Sequence, residues 1–143
     1  MASITCQFVR PDKLLYEGKV KDLTLQTPTG ELGVWPGHAS EICALGDGVV
    51  RLHPVDEDGA EYHIVISGGY AEISNNVVII LADHARRSDD IEPDVVSRTR
   101  ETAIASRDAL EPGDHRVAYY ENKIRWCNLL LKTAEDEGDA LHE

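Results

Sequence analysis

The period of the hydrophobic pattern changes once, just after Arg87, and that change dictates a chain of two unlike parts. Before it, apolar residues alternate: Ile4, Cys6 and Phe8, then Leu23, Leu25 and Thr27, then Tyr62, Ile64 and Ile66. Side chains of a strand point to opposite faces in turn, so period two marks strands with one buried face. Turn-forming stretches separate these runs, the arrangement of an all-β fold built from short strands. They are Pro28-Thr29-Gly30, Gly46-Asp47-Gly48, Asp56-Glu57-Asp58-Gly59, Gly68-Gly69 and Asn75-Asn76. Residues 1–84 are therefore expected to form a small antiparallel β-sandwich or barrel, with Asp58-Gly59 and Asn75-Asn76 at hairpin tips.

After Arg87 the texture is helical. Ser88-Asp89-Asp90-Ile91-Glu92-Pro93 reads as a polar hinge, and Asp94 to Leu110 contains neither Gly nor Pro. Val95, Thr99, Thr102, Ala103, Ser106, Ala109 and Leu110 recur there at helical spacing. Glu111-Pro112-Gly113-Asp114 is a stop, a turn and a new cap. Val117, Tyr120, Ile124, Cys127 and Leu131 then follow at intervals of three and four, a seam for one partner helix. Residues 85–133 are thus expected to form an antiparallel two-helix hairpin, which makes the fold class α+β. A hairpin this small has little core of its own and is expected to lean on the sandwich or on a partner. Residues 134–143 carry five acids and no base and are expected to be a solvated, disordered tail.

Charge and composition narrow the function. A net charge of −12 excludes nucleic acid as a natural partner, because phosphate binding needs clustered Lys and Arg. The acidity is uneven: residues 1–84 hold 12 acids and 5 bases, whereas residues 85–133 hold nine of each. The longest apolar run, Val77 to Ala82, is far below the roughly 20 residues that span a bilayer, so no direct membrane insertion is expected. No export or transit segment is visible at the N-terminus. Cys6, Cys43 and Cys127 are odd in number and widely spaced, the pattern of reduced thiols. The six histidines lack metal-ligand spacing, and there is no nucleophile elbow or phosphate loop, so no catalytic, metal or cofactor site is expected.

The stretch Gly30-Glu31-Leu32-Gly33-Val34-Trp35-Pro36-Gly37-His38-Ala39 stands out within the first part. Three glycines and a proline force a tightly turned backbone, while Leu32, Val34 and Trp35 keep part of it packed. A loop so constrained presents its polar members, Glu31 and His38, in a fixed geometry.

These stretches, in this order, resemble the epsilon subunit of the F-type ATP synthase (delta in mitochondrial nomenclature). The resemblance runs through Pro11 to Gly18, Glu31 to Ala39, Gly48-Val49-Val50-Arg51, Ser67 to Glu72 and Val77 to Asp83, nearly the whole chain. It implies a non-catalytic rotor subunit whose sandwich sits at the foot of gamma and on the polar loops of the c-ring, coupling ring rotation to ATP synthesis. It makes Glu31 and His38 candidate c-ring contacts, with Glu31 pairing with a basic group of a c-subunit loop. It also implies that the helical arm can extend into the catalytic head and block ATP hydrolysis. Arg98, Arg100, Arg107, Arg116, Lys123 and Arg125 are then the groups that meet the acidic alpha and beta subunits. The implied location is peripheral, at the cytoplasmic face of a bacterial inner membrane or the stromal face of a thylakoid.

One departure bears on cofactors. Some bacterial members bind ATP through an Ile/Leu-Asp-x-x-Arg-Ala motif, and here the matching residues are Ile91-Glu92-Pro93-Asp94-Val95-Val96. Val95 replaces the arginine whose guanidinium would pair with phosphate, so no tight ATP binding is expected. The competing reading is a free-standing β-sandwich module whose hairpin recognises an unrelated protein.

Overall fold

A computed structural model describes residues 2–57 and 59–141 of the chain. Asp58 of one expected hairpin tip, and His142 and Glu143 of the expected tail, lie outside the described residues. The chain divides into two units, Met1–Arg87 and Ser88–Glu143.

Among the described residues the first unit contains seven strands: β1 (Ile4–Arg10), β2 (Lys13–Thr27), β3 (Gly30–Val34), β4 (Glu41–Ala44), β5 (Gly48–Pro54), β6 (Tyr62–Ser74) and β7 (Val77–Arg87). Two long strands each serve both layers of the sandwich. The first half of β2 pairs with β1, and its second half pairs with β3 and β5. Likewise β6 pairs with β5 through Tyr62–Ile66 and with β4 through Tyr70–Ile73, while β7 follows it throughout. The change of partner falls at Gly68 and Gly69, whose φ angles are +74° and +112°. A Cβ on Gly69 would lie 2.1 Å from the Leu81 carbonyl oxygen, so the kink admits no side chain there. Ser67 beside it is buried and donates to Asp47 Oδ1 at 2.7 Å, a structural role for this glycine-rich stretch.

Every pairing is antiparallel except β1 with β7, which run parallel and complete the wall of the sandwich. The expected alternation is present: Ile4, Cys6, Phe8, Leu23, Leu25, Ile64 and Ile66 all lie in one buried cluster with Leu52, Ile73 and Ile80. Burial pushes the Cys6 thiol up to about 12, which keeps it protonated and inert. The Asn75-Asn76 tip has φ of 51° and 61°, the left-handed pair that a two-residue hairpin turn requires. The sandwich ends at Arg87 rather than residue 84. Asp83 and His84 are both exposed, which interrupts the alternation, yet Ala85 is buried and paired with Ile66.

In the second unit a single 3-10 turn, Ser88–Asp90, precedes α1 (Pro93–Asp108) and α2 (Arg116–Leu141). Pro93 occupies the first turn of α1, where its missing N–H costs nothing. Gly113, at φ +86°, turns the chain, and Asp114 Oδ1 accepts the Arg116 backbone N–H at 2.9 Å, the expected cap. The buried stripe of α1 is carried by Val96 and Ala103, one residue out of phase with the expected Val95, which is 43% exposed. On α2 the expected seam holds through Cys127 and then settles on Leu130 rather than Leu131, as a 3.6-residue period drifts from strict sevens. The expectation of a disordered tail is corrected over most of its length, because α2 continues to Leu141. Ala and Glu are strong helix formers, and an acidic solvated helix end has the same composition as an acidic coil.

Candidate functional site

The constrained loop is built by three local devices. Pro36 and Gly37 occupy the centre of a turn closed by the His38 N–H donating to the Trp35 carbonyl at 3.1 Å. Gly37 has φ +87°, the positive value a type II turn demands after proline. Gly33 serves Trp35: a Cβ there would lie 2.3 Å from the indole Cζ3, so the ring packs against the bare backbone. Val34 between them is fully buried and anchors the loop to the core.

The loop is also tied across the fold. The Gly37 N–H donates to Asn76 Oδ1 at 2.7 Å, and the Asn76 carbonyl accepts the Thr5 N–H at 2.9 Å. The β6–β7 hairpin tip thus braces the loop against the start of β1. His38 lines a shallow cleft with Trp35, Asn76, Ile4, Ile73 and Val78, and its Nδ1 is 2.7 Å from the Ala39 carbonyl oxygen. Trp35 remains 60% exposed, a rigid aromatic platform at the edge of the sandwich.

Glu31 belongs to a different neighbourhood. It sits on β3 opposite Gln26, and its carboxylate reaches across β2 to Arg51 on β5. Arg51 Nη2 donates to both oxygens at 3.1 and 3.0 Å, and Gln26 Nε2 donates to Oε1 at 3.2 Å. These hydrogen bonds, that from Arg51 first, hold the Glu31 carboxyl below its ordinary range. The charge network continues outward. Arg51 Nε is 3.7 Å from Glu61 Oε1, which also lies 3.5 Å from His53 Nε2 and 3.3 Å from His63 Nε2. His53 Nδ1 in turn is 2.6 Å from Asp22 Oδ1. Glu31 and His38, grouped by the sequence, therefore have separate sets of partners.

Arg100 donates to Asn128 Oδ1 at 3.1 Å and ties α1 to α2, Arg107 pairs with Asp108 at 3.2 Å, and Arg116 pairs with Asp114 at 2.8 Å. Arg98, Lys123 and Arg125 are exposed. At the start of α1, Glu92 is the N-cap residue without a side-chain cap bond, and Val95 presents an isopropyl group to solvent.

Sequence reasoning missed Arg51 and Asn76 as partners of the loop residues. Gln26 and Arg51 approach Glu31 only once the order β3-β2-β5 is known, and no short-range pattern carries that order.

Comparison with known proteins gives a consistent answer. Residues 3–88 match the family described as ATP synthase, Delta/Epsilon chain, beta-sandwich domain. The chain is 35% identical over 132 residues to the chloroplastic ATP synthase epsilon chain of Drimys granadensis, covering 92% of this chain and 90% of that one. It is 39% identical over 90 residues to the epsilon chain of Lactiplantibacillus plantarum, a match that spans 63% of each chain. Among solved structures, it resembles a chain of the Euglena gracilis mitochondrial ATP synthase, an OSCP/F1/c-ring assembly. That likeness has a TM-score of 0.66 and 26% identity, and covers 99% of this chain and 83% of that one. The chain belongs to the ATP synthase delta/epsilon chain family.

Proposed function

We propose that this chain is a non-catalytic part of the ATP synthase rotor, in which the sandwich transmits torque and the hairpin acts as a detachable brake. The observation that carries this reading is the braced loop. Torque can pass only through a surface that does not yield, and here the Pro36-Gly37 turn, the Asn76 bond and buried Val34 fix the loop. Exposed Trp35 and half-buried His38 on that end, with Glu31 nearby in sequence, are the groups offered to the polar loops of a c-ring. Gamma is the partner of the sandwich. Among the described residues no helix is long and apolar enough to cross a membrane, which suits a peripheral attachment made through these protein contacts.

In the arm, Arg98, Arg100, Arg107, Arg116, Lys123 and Arg125 are the cations offered to acidic alpha and beta subunits, and Arg98, Arg116, Lys123 and Arg125 among them are exposed. The test is association. The purified chain and its cognate gamma subunit should co-elute on gel filtration, and Trp35→Ala should spare that complex while weakening retention on a purified c-ring. Separate elution of the two chains would return the module reading.

A further inference from the structure

The neighbourhood of Glu31 contains a built-in competitor for its partner. If Glu31 receives a basic group of a c-subunit loop, that cation must approach a carboxylate whose two oxygens already accept hydrogen bonds from Arg51 Nη2, at 3.1 and 3.0 Å. Two cations on one half-exposed carboxylate repel each other, so the incoming group gains little while Arg51 stays. Arg51 has somewhere else to go. Its Nε already faces Glu61 at 3.7 Å, and a short swing turns that long contact into a full ion pair. Glu61 is available for it because its other neighbours are His53 and His63, at 3.5 and 3.3 Å, and Asp22 at 2.6 Å draws the opposite edge of the His53 ring. Gln26 does not have to move. It is fixed by its own 2.9 Å bond to the Val49 carbonyl and continues to orient Glu31.

We propose that Arg51 is a switching residue that gates Glu31: free, the chain holds Arg51 on Glu31, and docking of a cationic c-subunit loop transfers Arg51 to Glu61. The interface is thereby selective for a partner cation able to displace a guanidinium, and stray cations do not capture the rotor surface. This inference rests on Glu31 being a c-ring contact, as proposed above.

The test is a double-mutant cycle on the full-length chain bound to gamma, reading its affinity for the purified c-ring at low salt. Glu31→Gln tests the underlying contact and should weaken binding. Arg51→Met should strengthen binding about tenfold, the scale of removing one like charge at close range on a surface, and should do nothing in the Glu31→Gln background. Glu61→Gln should weaken binding severalfold, and only while Arg51 is present. Arg51→Lys, which keeps the charge on a flexible stem, should stay near the starting affinity. If Arg51→Met weakens binding or leaves it unchanged while Glu31→Gln weakens it, the gate is wrong and the contact stands. If Glu31→Gln has no effect, the contact itself fails and the gate with it. Equal effects of Arg51→Met with and without Glu31 would reveal only a long-range charge effect and would also overturn the gate.

Discussion

The sandwich and the hairpin solve the problem of burial in opposite ways. The sandwich surrounds Phe8, Leu23, Leu25, Leu52, Ile64 and Ile80 on all sides, each at 1% exposure or less, so its core is closed within one unit. The hairpin fully buries little beyond Ile91, Val96, Ala103, Cys127 and Leu130, and it leaves Val95 at 43% and Tyr119 at 60% exposure. Closed cores resist deformation because interiors are close-packed. Two helices that share one narrow seam are marginal and exchange partners readily. Stiffness in one unit and lability in the other are the properties that the proposed torque-bearing body and movable brake would require.

That contrast can be broken most forcefully at its stiff end. Phe8→Ala removes a ring from the centre of the sandwich and should lower its stability by about 3–5 kcal/mol, read from the denaturant midpoint. A loss under about 1 kcal/mol would show a core far softer than described. The matching cut in the hairpin is Leu130→Ala, which should cost about 2–3 kcal/mol of local stability. Hydrogen exchange should then quicken across α1 and α2 while β1 to β7 keep their protection. Equal quickening in both units would merge them into one cooperative body.

A smaller effect tests the brace on the loop. Asn76→Gly removes the 2.7 Å bond to the Gly37 N–H while keeping the positive φ of the turn, and should cost about 1 kcal/mol. Trp35 fluorescence should report a looser loop, with a shift of the sandwich midpoint well below that of Phe8→Ala.

The smallest effect lies at the cap of α2. Hydrogen bonds from the Arg116 side chain and backbone depress Asp114 from 3.8 to about 2. A depressed carboxylate stabilises the fold above its unfolded value, and that contribution fades as pH falls through the folded value. Helical circular dichroism of the hairpin should therefore decline on acidification from pH 3.8 to about 2, and Asp114→Asn should remove that step. Calorimetry with ATP should give no tight binding, since Val95 supplies no charge for phosphate; micromolar affinity would contradict this.

How much of this was legible in the sequence follows from the range of each interaction. Alternation placed Ile4, Cys6, Phe8 and Ile64 in the core, and the Asn-Asn tip and the Asp114 cap were readable because each depends on a few adjacent residues. The phase error at Val95 and Val96 arose because adjacent valines both satisfy a helical pattern, and only the facing helix decides between them. The helical tail was read as coil because charge reports solvation and not backbone conformation. The constrained loop was legible, but its brace from Asn76 was not, since 39 residues separate Gly37 from its acceptor. The same distance problem hid Arg51 from Glu31, and with it the reason this acid is not simply a solvated charge.

The division of labour itself is tested most directly by ATP hydrolysis in a gamma-containing catalytic head reconstituted with either the full chain or residues 1–87, with retention on gamma measured in the same samples. The account predicts equal retention and faster hydrolysis with the shorter chain. Loss of gamma binding by residues 1–87 would contradict it, because the sandwich would then depend on the hairpin it is claimed to outlast.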